Sequence, residues 1–159
     1  MKHLLLTTIA AVLLVGCEPP TKDIKEAVRQ ENFEAAKQFI ATGVDVNVKD
    51  RSGSTPLHWA ATKVMAELLI ANGADVNAQR NDRWTPLHQA AFMELAESAE
   101  MLIASGANIN SKSYYLQTRE RRGAQTPLEV AIESGDTKIA DLIRKHGGMT
   151  SEQLKAEAK

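Results

Sequence analysis

The apolar residues of this chain fall into short segments with helical spacing. They recur every three or four positions within residues 24–28 and 33–40, and again within 64–71, 96–104 and 139–143. Polar residues separate these segments and occupy their opposite faces. The pattern therefore predicts a series of short amphipathic helices that pack against one another.

A four-residue motif marks the start of three of the predicted helices. Thr-Pro-Leu-His occurs at residues 55–58 and 85–88, and Thr-Pro-Leu-Glu occurs at 126–129. Threonine can cap a helix by accepting a backbone N–H, and proline suits the first helical position, where its missing donor is not needed. Each copy of the motif therefore predicts a helix start.

A second motif closes the apolar segments. It reads Gly-Val-Asp-Val-Asn at 43–47, Gly-Ala-Asp-Val-Asn at 73–77 and Gly-Ala-Asn-Ile-Asn at 106–110. Glycine suits the left-handed residue just after a helix. Together the two motifs predict a repeated unit of helix, turn, helix, glycine stop and extended finger.

This unit resembles the ankyrin repeat, whose signature is T-P-L-H-x-A in a period of about 33 residues. The resemblance covers residues 22–148 and implies an all-α ankyrin-repeat solenoid of four helix-turn-helix repeats with hairpin fingers. Within an ankyrin domain of residues 23–148, the repeats fall at about 23–53, 54–83, 84–124 and 125–148. The first repeat lacks the Thr-Pro-Leu-His start, as terminal repeats often do.

The spacing of the motifs locates two irregularities. Gly43 and Gly73 are 30 residues apart, whereas Gly73 and Gly106 are 33 apart, so the second repeat is three residues short. The turn between its two helices is where we expect the loss. Gly106 and Thr126 are 20 residues apart, against 12 between Gly43 and Thr55, so the third finger carries eight additional residues.

The N-terminus has the layout of an export signal. A basic start precedes an apolar run at 4–13 that is too short to span a bilayer comfortably. Leu-Val-Gly-Cys at 14–17 resembles the lipobox of bacterial lipoproteins. The resemblance implies a signal peptide at 1–16 and lipidation of Cys17. The alternative is a free or buried thiol after an uncleaved anchor.

The lipobox resemblance also implies a location. Residues 17–22 would form a linker between the lipidated cysteine and the domain, stiffened by two prolines. The protein would be exported and lipid-anchored, facing the periplasm or the exterior. Glu18 follows the cysteine in place of the aspartate that favours inner-membrane retention in some bacteria, so an outer membrane is the preferred site.

Composition narrows the function classes. The 159 residues carry a formal net charge of -1, so no overall positive field favours nucleic acid. The single cysteine excludes an intrachain disulfide. The Lys- and Glu-rich residues 149–159 form a polar C-terminal tail, either frayed or a short solvated helix.

The sequence carries no catalytic motif. The resemblance implies that His58 and His88 tie neighbouring loops together by hydrogen bonds. No paired-cysteine or H-E-x-x-H spacing provides the three or four ligands of a zinc site. There is also no G-x-S-x-G elbow and no glycine-rich phosphate loop. We therefore expect no enzyme, no cofactor, no metal and no small-molecule substrate.

Binding to a protein is the better supported function. Solenoids bind partners on extended concave surfaces. In ankyrin domains the contacts come from the finger tips, the residue before each Thr-Pro-Leu-His motif, and the end of the first helix. Carried to this chain, those positions are Arg51, Ser52, Ser54, Asp82, Arg83, Trp84, Phe92 and Met93. Trp84 is the strongest candidate, since tryptophan is enriched at interface hot spots, although it could instead pack against a neighbouring finger.

The long third finger adds further candidates. Arginines beside aromatic residues can bind anionic groups, and this finger contains Tyr114, Tyr115, Arg119, Arg121 and Arg122. The alternative is a solvated loop without a dedicated partner. The sequence thus predicts a monomer that binds an unidentified envelope protein. A second hypothesis is a structural envelope tether that binds anionic lipid or wall material through this finger.

Overall fold

The computed structural model describes residues 22–114 and 124–158. Eight α-helices, one 3₁₀ helix and a two-stranded antiparallel hairpin form within these residues. The all-α prediction is confirmed. In chain order the elements are α1 Ile24–Arg29, α2 Phe33–Ala41, the 3₁₀ helix Pro56–Trp59, α3 Lys63–Ala71, α4 Pro86–Phe92, α5 Ala96–Ala104, β1 Ser113–Tyr114, β2 Ala124–Gln125, α6 Pro127–Ser134, α7 Thr137–Lys145 and α8 Ser151–Glu157.

The helices form four pairs that stack in chain order. In each repeat the first helix packs on the second, as α1 does on α2 and α6 on α7. The first helices also pack on one another, with the 3₁₀ helix between α1 and α4, and α4 against α6. Among the second helices, α5 contacts both α3 and α7. The molecule is therefore a solenoid in which each repeat contacts its neighbours.

Alanines at equivalent positions allow this close stacking. The first helices bury Ala27, Ala60, Ala90 and Ala131. The second helices do the same with Ala36, Ala66, Ala99 and Ala140. A methyl side chain lets the backbones of neighbouring helices approach, while the larger buried residues, such as Leu69 and Ile143, fill the space between the layers.

The motif threonines cap their helices, as predicted. At Thr55 and Thr85 the threonine side chain accepts the backbone N–H three residues along, and the histidine ring at that position accepts the threonine N–H, which makes each start a capping box. The hydroxyls of Thr55 and Thr85 also lie 3.0 and 2.8 Å from Nδ1 of His58 and His88. At Thr126, where glutamate takes the place of the histidine, the hydroxyl accepts the Glu129 N–H at 3.4 Å.

In the short second repeat the first helix is reduced to a single 3₁₀ turn, and side chains of the neighbouring repeats supply the missing hydrogen bonds. Its first helix is a 3₁₀ helix of four residues. The Glu31 carboxylate accepts the Ala61 N–H at 2.9 Å and the Thr62 hydroxyl at 2.6 Å. On the other side, the Ser98 hydroxyl donates to the carbonyls of Ala60 and Ala61 at 3.2 and 3.0 Å. Side chains from repeats one and three thus satisfy the backbone that the deletion exposes.

The fingers are joined by backbone hydrogen bonds. Asn81 N–H donates to the Ser52 carbonyl at 3.0 Å, and Tyr114 N–H donates to the Asp82 carbonyl at 2.8 Å. Asparagines join the repeats further down: the side-chain amides of Asn47, Asn77 and Asn110 each donate to the carbonyl of a helix-ending glycine in the next repeat. These bonds align the fingers side by side.

The tail begins with a short helix that docks on the last repeat. Ser151, at the start of α8, donates its N–H to Glu129 at 2.9 Å and its hydroxyl to the Ala124 carbonyl at 2.6 Å. No side chain of α8 is buried. Among the residues described, no helix has the length and apolar character needed to cross a membrane.

Candidate functional site

The two motif histidines are part of the scaffold. Nδ1 of His58 accepts the Thr55 N–H at 3.2 Å, which fixes the ring proton on Nε2, and Nε2 donates to the Trp84 carbonyl at 3.1 Å. His88 repeats this arrangement with the Thr85 N–H and the Gln125 carbonyl. Burial lowers the pKa of each histidine to about 4. The rings are therefore neutral near pH 7 and join one repeat to the next finger.

The acidic residues of the fingers are occupied by internal bonds. Asp50 accepts the N–H groups of Ser52 and Ser54 at 2.8 and 3.0 Å and pairs with Arg29 at 3.1 Å. Burial alone would raise the pKa of Asp50, but the bonds from Ser52 and Ser54 and the charge of Arg29 outweigh it and lower the pKa.

Asp82 plays the same role in the second finger. It accepts the Trp84 N–H at 3.0 Å and pairs with Arg80 at 2.9 Å. Asp82 was predicted to contact a partner, but its side chain is half-buried and already bonds within the finger and pairs with Arg80. Only part of it is therefore accessible to a partner.

Trp84 lies at the base of the second finger, where it meets the end of α4. Its ring makes edge contacts with His88 and Phe92, with centroids 6.0 and 5.7 Å away. The guanidinium carbon of Arg80 lies 5.3 Å from its centroid. Trp84 is half-buried, so it both supports the finger and presents part of its ring at the surface.

Phe92 and Met93 are exposed apolar residues at the end of α4. Phe92 is 56% exposed and Met93 is 43% exposed. Phe92 rests against Trp84, so the two rings form one aromatic step between the finger and the helix. The structure thus brings together three of the predicted partner-binding residues.

Ser54 was placed wrongly among the predicted partner-binding residues. Its relative exposure is 0%. Its N–H binds Asp50 and its hydroxyl lies 2.8 Å from that of Ser52, so the side chain faces the interior of the finger. Serine is small enough to turn inward at this position, whereas Trp84, the equivalent residue 30 positions later, is not.

Arg51, Ser52 and Arg83 lie exposed at the finger tips, as predicted. The guanidinium carbon of Arg83 lies 4.8 Å from the ring centroid of Tyr114, which is 52% exposed. Within the described residues, neither Arg51 nor Arg83 forms an ion pair. The tips therefore present unpaired positive charge.

Two residues of this surface escaped the sequence reasoning as site residues. Arg29 lies with its guanidinium carbon 4.6 Å from the ring centroid of Trp59 while it pairs with Asp50. Arg80 links Asp82 to Gln89, at 3.2 Å, beneath Trp84. The signal available was the position of Arg29 at the end of the first helix, equivalent to Phe92. Hereafter, the finger–helix surface means residues 50–54 and 80–84 together with Arg29, Trp59, Phe92 and Met93.

The remaining candidates lie outside the described residues. These are Cys17 and, in the third finger, Tyr115, Arg119, Arg121 and Arg122. In the part of the chain that the structure covers, no group of three or more histidine, cysteine, aspartate or glutamate side chains is placed to hold a metal ion.

Comparison with known proteins identifies the repeat. The family model "Ankyrin repeats (3 copies)" matches residues 24–113. A putative ankyrin repeat protein from Rickettsia prowazekii (strain Madrid E), RP714, is 38% identical over 45 residues, which is 28% of this chain and 42% of that protein. The chain thus spans less than half of the length of this relative. With the stacked helix pairs and finger row described above, the matched segment shows that the chain belongs to the ankyrin repeat family.

Proposed function

We propose that this protein is a non-enzymatic binding module, anchored at the bacterial cell envelope through Cys17, that holds a protein partner on its finger–helix surface. Ankyrin repeats indicate protein–protein interaction. The identity of the binding surface, the envelope location and the lipid anchor go beyond what the family indicates and form our proposal. The observation that carries the binding site is the aromatic step, in which an exposed Phe92 is backed by Trp84 beside exposed arginines.

The aromatic step has the composition of an interface anchor. Interface hot spots are enriched in tryptophan, tyrosine and arginine and are surrounded by contacts that exclude water. Trp84 is held by Arg80, His88 and Phe92, so little side-chain freedom remains to be lost when a partner covers it. An exposed phenylalanine gains free energy when it is buried at a contact, roughly 2 kcal/mol for a side chain of this size.

A pull-down from detergent-solubilised envelopes tests the binding site. The bait is the full chain, compared with Phe92→Gln, which removes the exposed ring but keeps a helix-compatible side chain. Val64→Gln is the matched control, because Val64 is also 56% exposed but lies on α3, a second helix away from the finger row. We expect one protein to be recovered with the native chain and with Val64→Gln, and to be lost with Phe92→Gln.

Two results would contradict the binding proposal. Recovery of the same proteins with native and Phe92→Gln baits would place the interface elsewhere. Recovery of no protein, together with binding to wall material or vesicles, would favour the structural tether. Thermal unfolding of all three baits checks that Phe92→Gln remains folded.

The anchor is tested separately. The resemblance of residues 14–17 to a lipobox supports lipidation of Cys17. Cys17→Ser should move the protein from the membrane fraction to the soluble fraction, and it should abolish incorporation of a labelled fatty acid. A native chain that takes up no fatty acid would exclude the anchor without touching the binding proposal.

A further inference from the structure

Arg83 occupies a backbone conformation that ordinarily selects glycine. Its φ is +62°, whereas the equivalent position of the preceding finger, 30 residues earlier, is Gly53 with φ +81°. For a residue with a Cβ, the left-handed region is sterically unfavourable. The second finger thus has a long charged side chain at the position where the first finger has glycine.

The scaffold does not explain this choice. Glu31 and Glu94 are the other non-glycine residues with positive φ among those described. At Glu31 the unfavourable φ is compensated by two hydrogen bonds, because the carboxylate accepts the Ala61 N–H and the Thr62 hydroxyl. The Arg83 side chain holds no backbone group and forms no ion pair within the described residues, and its ring contact, with Tyr114, lies at the surface. Strained residues without a structural role are characteristic of functional sites.

The neighbouring charges leave Arg83 available for an anionic group. Asp50 and Asp82 are each bonded to backbone N–H groups and paired with Arg29 and Arg80. These two carboxylates of the first and second fingers are therefore occupied and do not compete for Arg83. Arg51, exposed on the preceding finger, adds a second positive charge to the same row.

We infer that Arg83, stacked on Tyr114, binds a carboxylate of an acidic segment of the protein partner, with Arg51 as a second contact. This inference rests on the proposed function and names the chemistry of its partner. A guanidinium that stacks one face on a ring keeps its N–H edge free, and that edge matches a carboxylate bidentately. The adjacent aromatic step would take an apolar side chain of the same segment.

A protein segment fits this surface better than an anionic membrane does. Recognition of anionic lipid ordinarily uses a cluster of about 4–8 basic residues on one face. Among the described residues of the finger tips, the two exposed arginines, Arg51 and Arg83, lie among neutralised carboxylates and beside the aromatic step, and the chain as a whole carries a net charge of -1. The pattern favours discrete pairing with individual carboxylates.

The experiment separates the role of Arg83 in stability from its role in binding. Arg83→Gly relieves the left-handed strain, and Glu94→Gly relieves the same strain at the turn before α5, away from the finger tips. We expect the Tm of each variant to rise by about 3 °C. A decrease in Tm for Arg83→Gly would show that Arg83 holds the fold, and it would overturn the inference.

Binding is measured with a fluorescein-labelled peptide of twelve alternating glutamates and leucines and with its glutamine-for-glutamate twin. The full chain and Glu94→Gly should bind the acidic peptide equally, Arg83→Gly should bind at least about tenfold more weakly, a loss typical of one charge-assisted pair, and the twin should not bind. Equal binding by Arg83→Gly, binding of the twin, or no binding of either peptide would overturn the inference.

Two further results distinguish this inference from the proposed function. If Arg83→Gly loses binding to phosphatidylglycerol vesicles but keeps the peptide, the site recognises a membrane and the inference is wrong. If the envelope pull-down recovers one protein with native and Arg83→Gly baits but not with Phe92→Gln, the proposed function stands while the carboxylate contact is rejected.

Discussion

At the residue scale, single side chains in this protein join neighbouring repeats by hydrogen bonds. His58 and His88 each join two backbone groups, one in each of two neighbouring repeats. A neutral ring suits this task, because Nδ1 must accept while Nε2 donates. Protonation would place a second donor against the Thr55 and Thr85 N–H groups, so the scaffold depends on these rings staying neutral.

This dependence predicts a loss of stability in mild acid. The pKa of each histidine is about 4 in the folded chain and about 6.5 when unfolded. Between these values only the unfolded state takes up the protons, so the contribution of the two histidines to stability is constant above pH 6.5, falls from pH 6.5 to 4 and levels below it. Each ring accounts for roughly 3 kcal/mol at full extent.

Urea unfolding at pH 7, 5.5 and 4.5 measures this effect. His88→Gln should be less stable at pH 7, since the bonds to Thr85 and Gln125 are lost or weakened, but its stability should fall about half as steeply with acid. Asp50, whose pKa is lowered, loses its contribution only below its ordinary pKa of 3.8 and does not confuse this range. An unchanged slope in His88→Gln would contradict the assignment.

A second prediction at this scale concerns Gly53. A Cβ built there would lie 2.7 Å from Oδ1 and 2.9 Å from N of Asn81, in addition to the unfavourable φ of +81°. Gly43, with φ +82°, has no such neighbour within 4 Å. Gly43→Ala should cost about 1 kcal/mol for the backbone alone, and Gly53→Ala about 1–3 kcal/mol more for the steric clash.

Chemical denaturation of the two glycine variants measures that difference directly. Equal losses would mean that the second finger yields to the new methyl group, and that the bond between Asn81 N–H and the Ser52 carbonyl contributes little to the alignment of the fingers.

At the element scale, the sequence predicted most of the helices because their boundaries are marked by local chemistry. The apolar spacing and the Thr-Pro and glycine motifs locate α3, α5 and α6 closely. The consequence of the deletion was not predictable in the same way. A spacing of 30 residues shows that three are missing, but whether a turn, a helix or a finger yields depends on Glu31 and Ser98, which lie in other repeats.

The candidate site was predictable to a similar degree. Family positions named Phe92 and Trp84, whose rings are in contact, and Arg83, which lies over the Tyr114 ring. They failed at Ser54 and missed Arg29, because the direction of a side chain in a finger depends on its size and on the neighbouring Asp50. Such contacts are long-range in sequence, so no local pattern reports them.

The contact of Ser98 with the short second repeat gives a further prediction. Ser98→Ala removes the donor to the Ala60 and Ala61 carbonyls and should cost about 1–2 kcal/mol, since buried Ala60 then keeps a carbonyl without that donor. Ser105→Ala, at the end of the same α5, is the control and should cost less than about 0.5 kcal/mol, because its hydroxyl reaches only the sulfur of Met101. Equal costs would mean that water replaces Ser98 freely.

At the scale of the whole molecule, the same hydrogen bond links successive repeats, and its direction is the opposite at the C-terminal end of the stack. His58 and His88 donate to a carbonyl of the next finger. Glu129 takes the histidine position in repeat four, and its carboxylate can only accept. It receives the N–H of Ser151 instead, so α8 closes the stack where a further finger would otherwise continue it.

Removal of residues 150–159 should therefore weaken the last repeat more than the first. In a solenoid each repeat is stabilised mainly by its neighbours, so the loss of an end contact spreads only gradually. Since α8 buries no side chain, the cost should be modest, about 1–2 kcal/mol for the lost bonds to Glu129 and to the Ala124 carbonyl. Glu129 still accepts the Thr126 N–H at 2.8 Å, so α6 should keep its start.

Hydrogen exchange resolves where that loss falls. Amide protection should decrease in α6 and α7 and remain unchanged in α1 and α2, and Ser151→Ala in the full chain should reproduce about half of the decrease because it removes the hydroxyl but keeps the N–H. Lys155→Ala, on the exposed face of α8, should change nothing. A uniform decrease through all four repeats would show that the chain unfolds as one cooperative unit, whereas no decrease would show that α8 is not a cap.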